Sequence, residues 1–254
     1  PRTPGPRVAD LPIVLVHGGG HGAWCWERML PFISRPVLAV DLPGRGGTPG
    51  DRDSLTVDEC AASVLADADR AGFDRFVLVG HSLGGLTISA VAGRAPSRVS
   101  QLVYVSCAVP PEGGSVMDTL PFVIRFVSRQ ALKRAKRAKQ GKQVGSAGLS
   151  EARIRKMFCN DMNPEQARFV VESCGPEAVG LISERVSRAA IPPSMPKAYV
   201  KLARDASIPP KKQDVMIANL RSCPGGEVEV VPLDSGHDAM ISHPAELAGI
   251  VSRY

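Results

Sequence analysis

Two stretches of the 254-residue chain pair residue types in the way that acyl transfer requires. In Gly80-His81-Ser82-Leu83-Gly84 a serine stands between glycines, with an apolar run before it and a small-residue apolar run after it. A serine hydroxyl is too weakly acidic to attack a carbonyl unaided, so it needs a base within hydrogen-bond reach. His237, in Asp234-Ser235-Gly236-His237-Asp238, is the candidate base, because it comes just after the last expected strand. The base in turn needs a carboxylate to hold its tautomer. Asp205, in Arg204-Asp205-Ala206-Ser207, leads for that role and Glu112 is the backup; Asp234 and Asp238 stand too near His237 along the chain to approach its far nitrogen. Along the chain they come in the order nucleophile, acid, base, with the serine on a G-x-S-x-G turn between an expected strand and an expected helix. His17-Gly18-Gly19-Gly20 has the form of a loop that turns backbone N–H groups toward a developing oxyanion, with Gly19 and Leu83 as the donors. The other histidines, His17, His21, His81 and His243, lie beside glycine turns or at a helix start, where structural roles are expected.

Something must bring these distant residues to one place, and the apolar patterning supplies it. Short Val/Ile/Leu-rich runs alternate with Gly-rich turns and longer stretches of helical period, the pattern of buried parallel strands and crossover helices. Strands are expected at 12–17, 36–41, 73–79, 99–106, 197–203 and 227–231, and helices at 24–33, 56–71, 83–92, around 213–220 and from Pro244 onward. Thr56 with Glu59 has capping-box spacing. From Val109 to about Pro196 the strand rhythm stops, and helical pieces and turn signals take over. The expected class is α/β: a mostly parallel doubly wound sheet built from 1–108 and 197–254, with a mainly helical lid, 109–196, inserted. Gly18, Trp24, Phe122, Phe126 and Asp238 are candidates for lining the pocket.

The formal charge of +6 is concentrated in one place. Between Arg125 and Lys156 eleven Lys or Arg face the single acid Glu151, so the rest of the chain is net negative. Residues 129–143 carry no interleaved aromatic, which argues against base stacking and nucleic acid as a partner. A solvated helix face or the steering of an anionic substrate are the two readings of that stretch. Six dispersed cysteines form no CxxC pair, which points to free thiols in a reducing cytoplasm, with a secreted protein holding one long-range disulfide as the alternative. No apolar run is long enough to span a membrane. The residue types need no metal or organic cofactor, and a homodimer is compatible with the sequence but not derivable from it.

With these residues placed, the chain resembles the α/β-hydrolase superfamily over nearly its whole length. Within it, the chain resembles the branch of plant methylesterases, hydroxynitrile lyases and related bacterial esterases. The resemblance is carried by LVHGGGHGAWCW (Leu15 to Trp26), VLVGHSLGG (Val77 to Gly85), KAYVKLARDASIPP (Lys197 to Pro210) and SGHDAMISHPAELA (Ser235 to Ala248). Lyases of this branch have threonine after the oxyanion-loop histidine and lysine after the catalytic histidine, where this chain has Gly18 and Asp238. A carboxylate beside the leaving group would repel cyanide, so the resemblance implies a serine esterase for a small apolar ester. Esterases of the branch often have methionine where Asp238 stands, and the basic stretch 129–142 has no counterpart in the plant enzymes. Two rival functions use the same pocket: a secondary-metabolite lyase or cyclase working by acid/base chemistry, and a hydrolase-fold ligand-binding protein.

Overall fold

A computed structural model describes residues 10–119, 149–223 and 225–254. Six strands, β1 (Ile13–Val16), β2 (Val37–Val40), β3 (Phe76–His81), β4 (Val99–Val105), β5 (Lys197–Leu202) and β6 (Glu229–Leu233), form one sheet in the order β2-β1-β3-β4-β5-β6. Every adjacent pair is parallel. Parallel strands require crossovers that cover both faces, which is why the strand sequences are apolar at nearly every position. Val14, Leu78, Leu102 and Tyr104 face one buried layer, while Ile13, Leu15, Val77, Val79 and Val103 face the other.

Helix α1 (Val57–Arg70) begins at Thr56, whose side chain accepts the Glu59 N–H while the Glu59 carboxylate accepts the Thr56 N–H, the expected capping box. Helix α2 (Gly84–Arg94) follows β3 directly and packs on α1. Between β4 and β5 the described residues hold no strand: a 3-10 turn at Val116–Thr119, α3 (Glu151–Phe158), α4 (Pro164–Ser173) and α5 (Val179–Ser183). Asn163 and Gln166 cap α4 reciprocally and Pro164 fills its first turn, where a missing N–H costs nothing. Helix α6 (Pro210–Arg221) links β5 to β6, and α7 (Ala239–Ser242) and α8 (Pro244–Val251) end the chain. None of the described helices is long and apolar enough to cross a membrane.

Three local expectations are corrected. The stretch 24–33 forms two 3-10 turns, Ala23–Trp26 and Leu30–Phe32, and not one α-helix, because Pro31 has no N–H to donate and the backbone closes i→i+3 bonds instead. β3 starts at Phe76, since the carbonyls of Phe73 and Asp74 are taken by the Arg98 guanidinium, and it runs on through His81, paired with Val105. β6 starts two residues later than expected and reaches Leu233. All six cysteines are free.

Candidate active site

The carboxyl ends of β1, β3, β4, β5 and β6 converge, and each delivers one part of the site. The strand order reverses between β1 and β3, the place where open α/β sheets leave a crevice. Ser82 follows β3 at φ 51°, an uncommon backbone conformation for a residue with a side chain. The turn is held by the Ser82 N–H on Val105 O and the Ala108 N–H on Ser82 O, at 3.1 and 2.9 Å. It is tight enough that a Cβ on Gly84 would lie 2.7 Å from the His17 carbonyl oxygen, and one on Gly18 2.7 Å from the Ser82 Cβ.

His237, fully buried, places Nε2 3.0 Å from Ser82 Oγ and Nδ1 2.7 Å from Asp205 Oδ2. A carboxylate can only accept, so Nδ1 carries the proton and Nε2 is free to take the Ser82 O–H. Asp205 is held by three further donors. Ser106 Oγ binds Oδ2 at 2.5 Å, and the Ser207 and Ile208 N–H groups both bind Oδ1 at 2.7 Å. Ser106 was not singled out from the sequence. It follows β4 at φ 40°, and its only signal there is its place at the same sheet edge. Glu112 instead binds Ser187 and the Arg188 backbone, and Asp234 pairs with Arg204, so neither faces His237.

Burial alone would push the His237 ring toward its neutral form, but the Asp205 charge and hydrogen bond, with a smaller pull from Asp238, leave it above its ordinary 6.5. The other buried histidines sort by partner. His17 takes the Leu42 N–H on Nε2 and gives Nδ1–H to Gly18 O, and burial pushes it down to about 4. His81 is held well below its usual value by burial and by the neighbouring His237, and gives Nε2–H to the His237 carbonyl at 3.1 Å. His21 has acceptors at both nitrogens, Gly19 O at 2.8 Å and Asp238 Oδ2 at 2.9 Å, which calls for the doubly protonated ring. Burial opposes that charge, yet Asp238 raises His21; burial likewise opposes the Asp238 carboxylate, yet His21 lowers it.

Asp238 therefore sits next to His237 in a buried ion pair with His21 and not in the wall of the cavity over Ser82, correcting its expected place there. A cavity of about 510 Å³ opens over Ser82, walled among the described residues by Gly19, Leu83, Ala108, Val116, Leu149, Arg153, Ile154, Met157, Phe158, Cys174, Glu177, Ile182 and Ile208. Gly18 lies against Ser82 and Trp24 stacks on His21 at 5.2 Å, both outside that wall. Phe122, Phe126 and the basic stretch 129–143 lie outside the described residues. Neither the Gly19 nor the Leu83 N–H donates to a described residue, whereas the Gly20 N–H is tied to Glu177 Oε2 at 2.7 Å and Glu177 to Arg45 at 2.6 Å. His81, His237 and Asp238 bring ligand atoms within 4.8 Å of one another, but both His237 nitrogens are engaged, so a cation there would displace Asp205 or Ser82.

Residues 13–250 match the alpha/beta hydrolase family. The chain belongs to that family. It is similar to Methylesterase 18 of Arabidopsis thaliana, 27% identical over 94% of this chain and 95% of the relative. It is also similar to a carbendazim hydrolyzing esterase of a Nocardioides strain, 28% identical over 92% and 96%. Among solved structures, an extracellular alpha/beta-hydrolase from a Paenibacillus species superposes with a TM-score of 0.78 at 22% identity, over 96% of this chain and 98% of that one. Polyneuridine aldehyde esterase superposes with a TM-score of 0.71 at 21% identity, over 95% and 98%. These structural neighbours share the fold of this alpha/beta hydrolase.

Proposed function

We propose that this alpha/beta hydrolase cleaves a carboxylic ester of a small, mainly apolar molecule through an acyl-enzyme on Ser82. The observation that carries the proposal is the continuous hydrogen-bonded path Ser82–His237–Asp205 at the wall of a largely apolar cavity. Ser82 Oγ attacks the ester carbonyl as His237 Nε2 takes its proton, and the imidazolium so formed is stabilised by Asp205. The Gly19 and Leu83 N–H groups receive the oxyanion, each worth ~3 kcal/mol in the transition state. His237 returns the proton to the leaving alcohol, and water, activated by the same ring, releases the acid. The described parts of the insertion, 109–119 and 149–196, act as the lid, with Ile154, Met157 and Phe158 of α3 supplying apolar wall. The esterase names of the full-length relatives support this reading.

The test is hydrolysis of a panel of short-chain aryl and methyl esters by the wild type and by Ser82→Ala. Wild-type turnover should fall by ~10⁴-fold or more in the variant. Equal inertness of both proteins on every ester would overturn the proposal and favour proton-transfer chemistry or ligand binding in the same pocket.

A further inference from the structure

The segment Phe158–Asp161 leaves the end of α3 and touches both loops that carry the base and its carboxylate. The Phe158 ring stacks on the His237 imidazole, centroids 5.4 Å apart and planes 21° from parallel. Asn160 Nδ2 donates to the carbonyl of Arg204, the residue before Asp205, at 2.8 Å. Asp161 Oδ2 accepts the N–H of Gly236, the residue before His237, at 2.5 Å, and the Ser242 hydroxyl at 3.0 Å. The Asp161 side chain is only 1% exposed. Around it stand His243 Nδ1 at 3.4 Å and the Arg204 guanidinium at 4.0 Å, and its Oδ1 has no hydrogen-bond partner among the described residues. A Cβ at Gly236 would run into the Asp161 carboxylate, so the glycine before the base is what lets this contact form.

A buried carboxylate with one oxygen unmatched costs stability. Here it is spent on the backbone bond next to His237, while the neighbouring side chain holds the backbone bond next to Asp205. We infer that Asn160 and Asp161, with Phe158 above them, are positioning residues that set the His237–Asp205 geometry, so that the segment walling the cavity also aligns the base. The inference rests on the proposed roles of Ser82 and His237. An ångström of misplacement at a reacting group costs ~10²-fold in rate, which sets the size of the expected effect.

The experiment compares full-length wild type, Asn160→Ala, Asp161→Ala and Asp161→Asn on a short-chain aryl ester, and records the downfield proton resonance of the His237 Nδ1–H. Asp161→Ala should lower kcat by ~10²-fold with KM within about threefold, and broaden or shift the resonance. Asp161→Asn keeps an acceptor oxygen and should recover about tenfold or more of that loss. Asn160 is exposed, so Asn160→Ala will fold even if Asp161→Ala does not, and it should lower kcat about tenfold. Unchanged kcat and an unmoved resonance in Asn160→Ala and Asp161→Asn, with any loss confined to thermal stability, would overturn the inference. If the wild type cleaves no ester, the proposed hydrolysis fails separately, and the resonance in the same variants still decides the positioning role.

Discussion

At His237 two opposing influences meet, burial that disfavours the charged ring and the Asp205 carboxylate that favours it, and the second prevails. In the proposed mechanism the neutral ring is the base, so kcat/KM should fall as the pH drops through the raised value, with the acid limb centred above 6.5. A limb centred below 6.5 in a pH profile would contradict this. Asp238 raises His237 more than His21 lowers it, so Asp238→Asn should move that limb to lower pH. The buried pair also has a stability signature. Asp238, held below 3.8, contributes stability present above that value and lost as the pH falls through its depressed folded one. Protonated His21 contributes below 6.5, and that part is lost as the pH rises through its raised folded value. Thermal unfolding should therefore show the largest advantage of wild type over Asp238→Asn between about pH 4 and 6.5. The meeting of Ser82, His237 and Asp205 at one sheet edge was legible in the sequence because local motif and chain order place them there. The place of Asp238 was not, because it depends on His21, 217 residues away, and a neighbour in sequence gives no hint of which way a side chain turns.

Elements were legible where side chain and backbone agree on a boundary. Thr56 and Glu59 named the start of α1 to the residue, since the capping box is a local interaction. Thr56→Ala should cost ~1 kcal/mol, lowering Tm by about 2–4 °C in a domain of this size and leaving ester turnover unchanged in the same preparation. The apolar spacing of 24–33 suits a helix, while Pro31 decides against one. Capping of α4 by Asn163 and Gln166 follows the same spacing rule as α1 and was present to be read. Gly84 belongs to this scale as well, since it lets α2 begin against the backbone of β1. Gly84→Ala should push the Ser82 turn away from the His17–Gly20 loop and, on the proposed mechanism, lower kcat more than KM rises; steady-state kinetics that match wild type would contradict this.

In the whole molecule, the reversal of strand order between β1 and β3 explains why residues from both ends of the chain meet at one sheet edge. That architecture was legible because parallel strands buried on both faces leave continuous apolar runs. The pocket was not, because its walls come from α3, α5 and the loops around them, whose packing no periodicity encodes. Charge is distributed unevenly at this scale: eleven cations lie between Arg125 and Lys156, and Arg153 of that set stands in the cavity wall. An ester carrying a free carboxylate should lose kcat/KM as salt is raised, while a neutral ester of the same length should not; identical salt profiles would remove any steering role for these cations. The central claim is a covalent intermediate on Ser82, and intact-mass analysis after treatment with an activated organophosphonate tests it most directly. One adduct per chain, mapped to Ser82 and formed far more slowly in His237→Ala, is the predicted result. Ester turnover by wild type with no adduct, or with an adduct on another residue, would contradict the account.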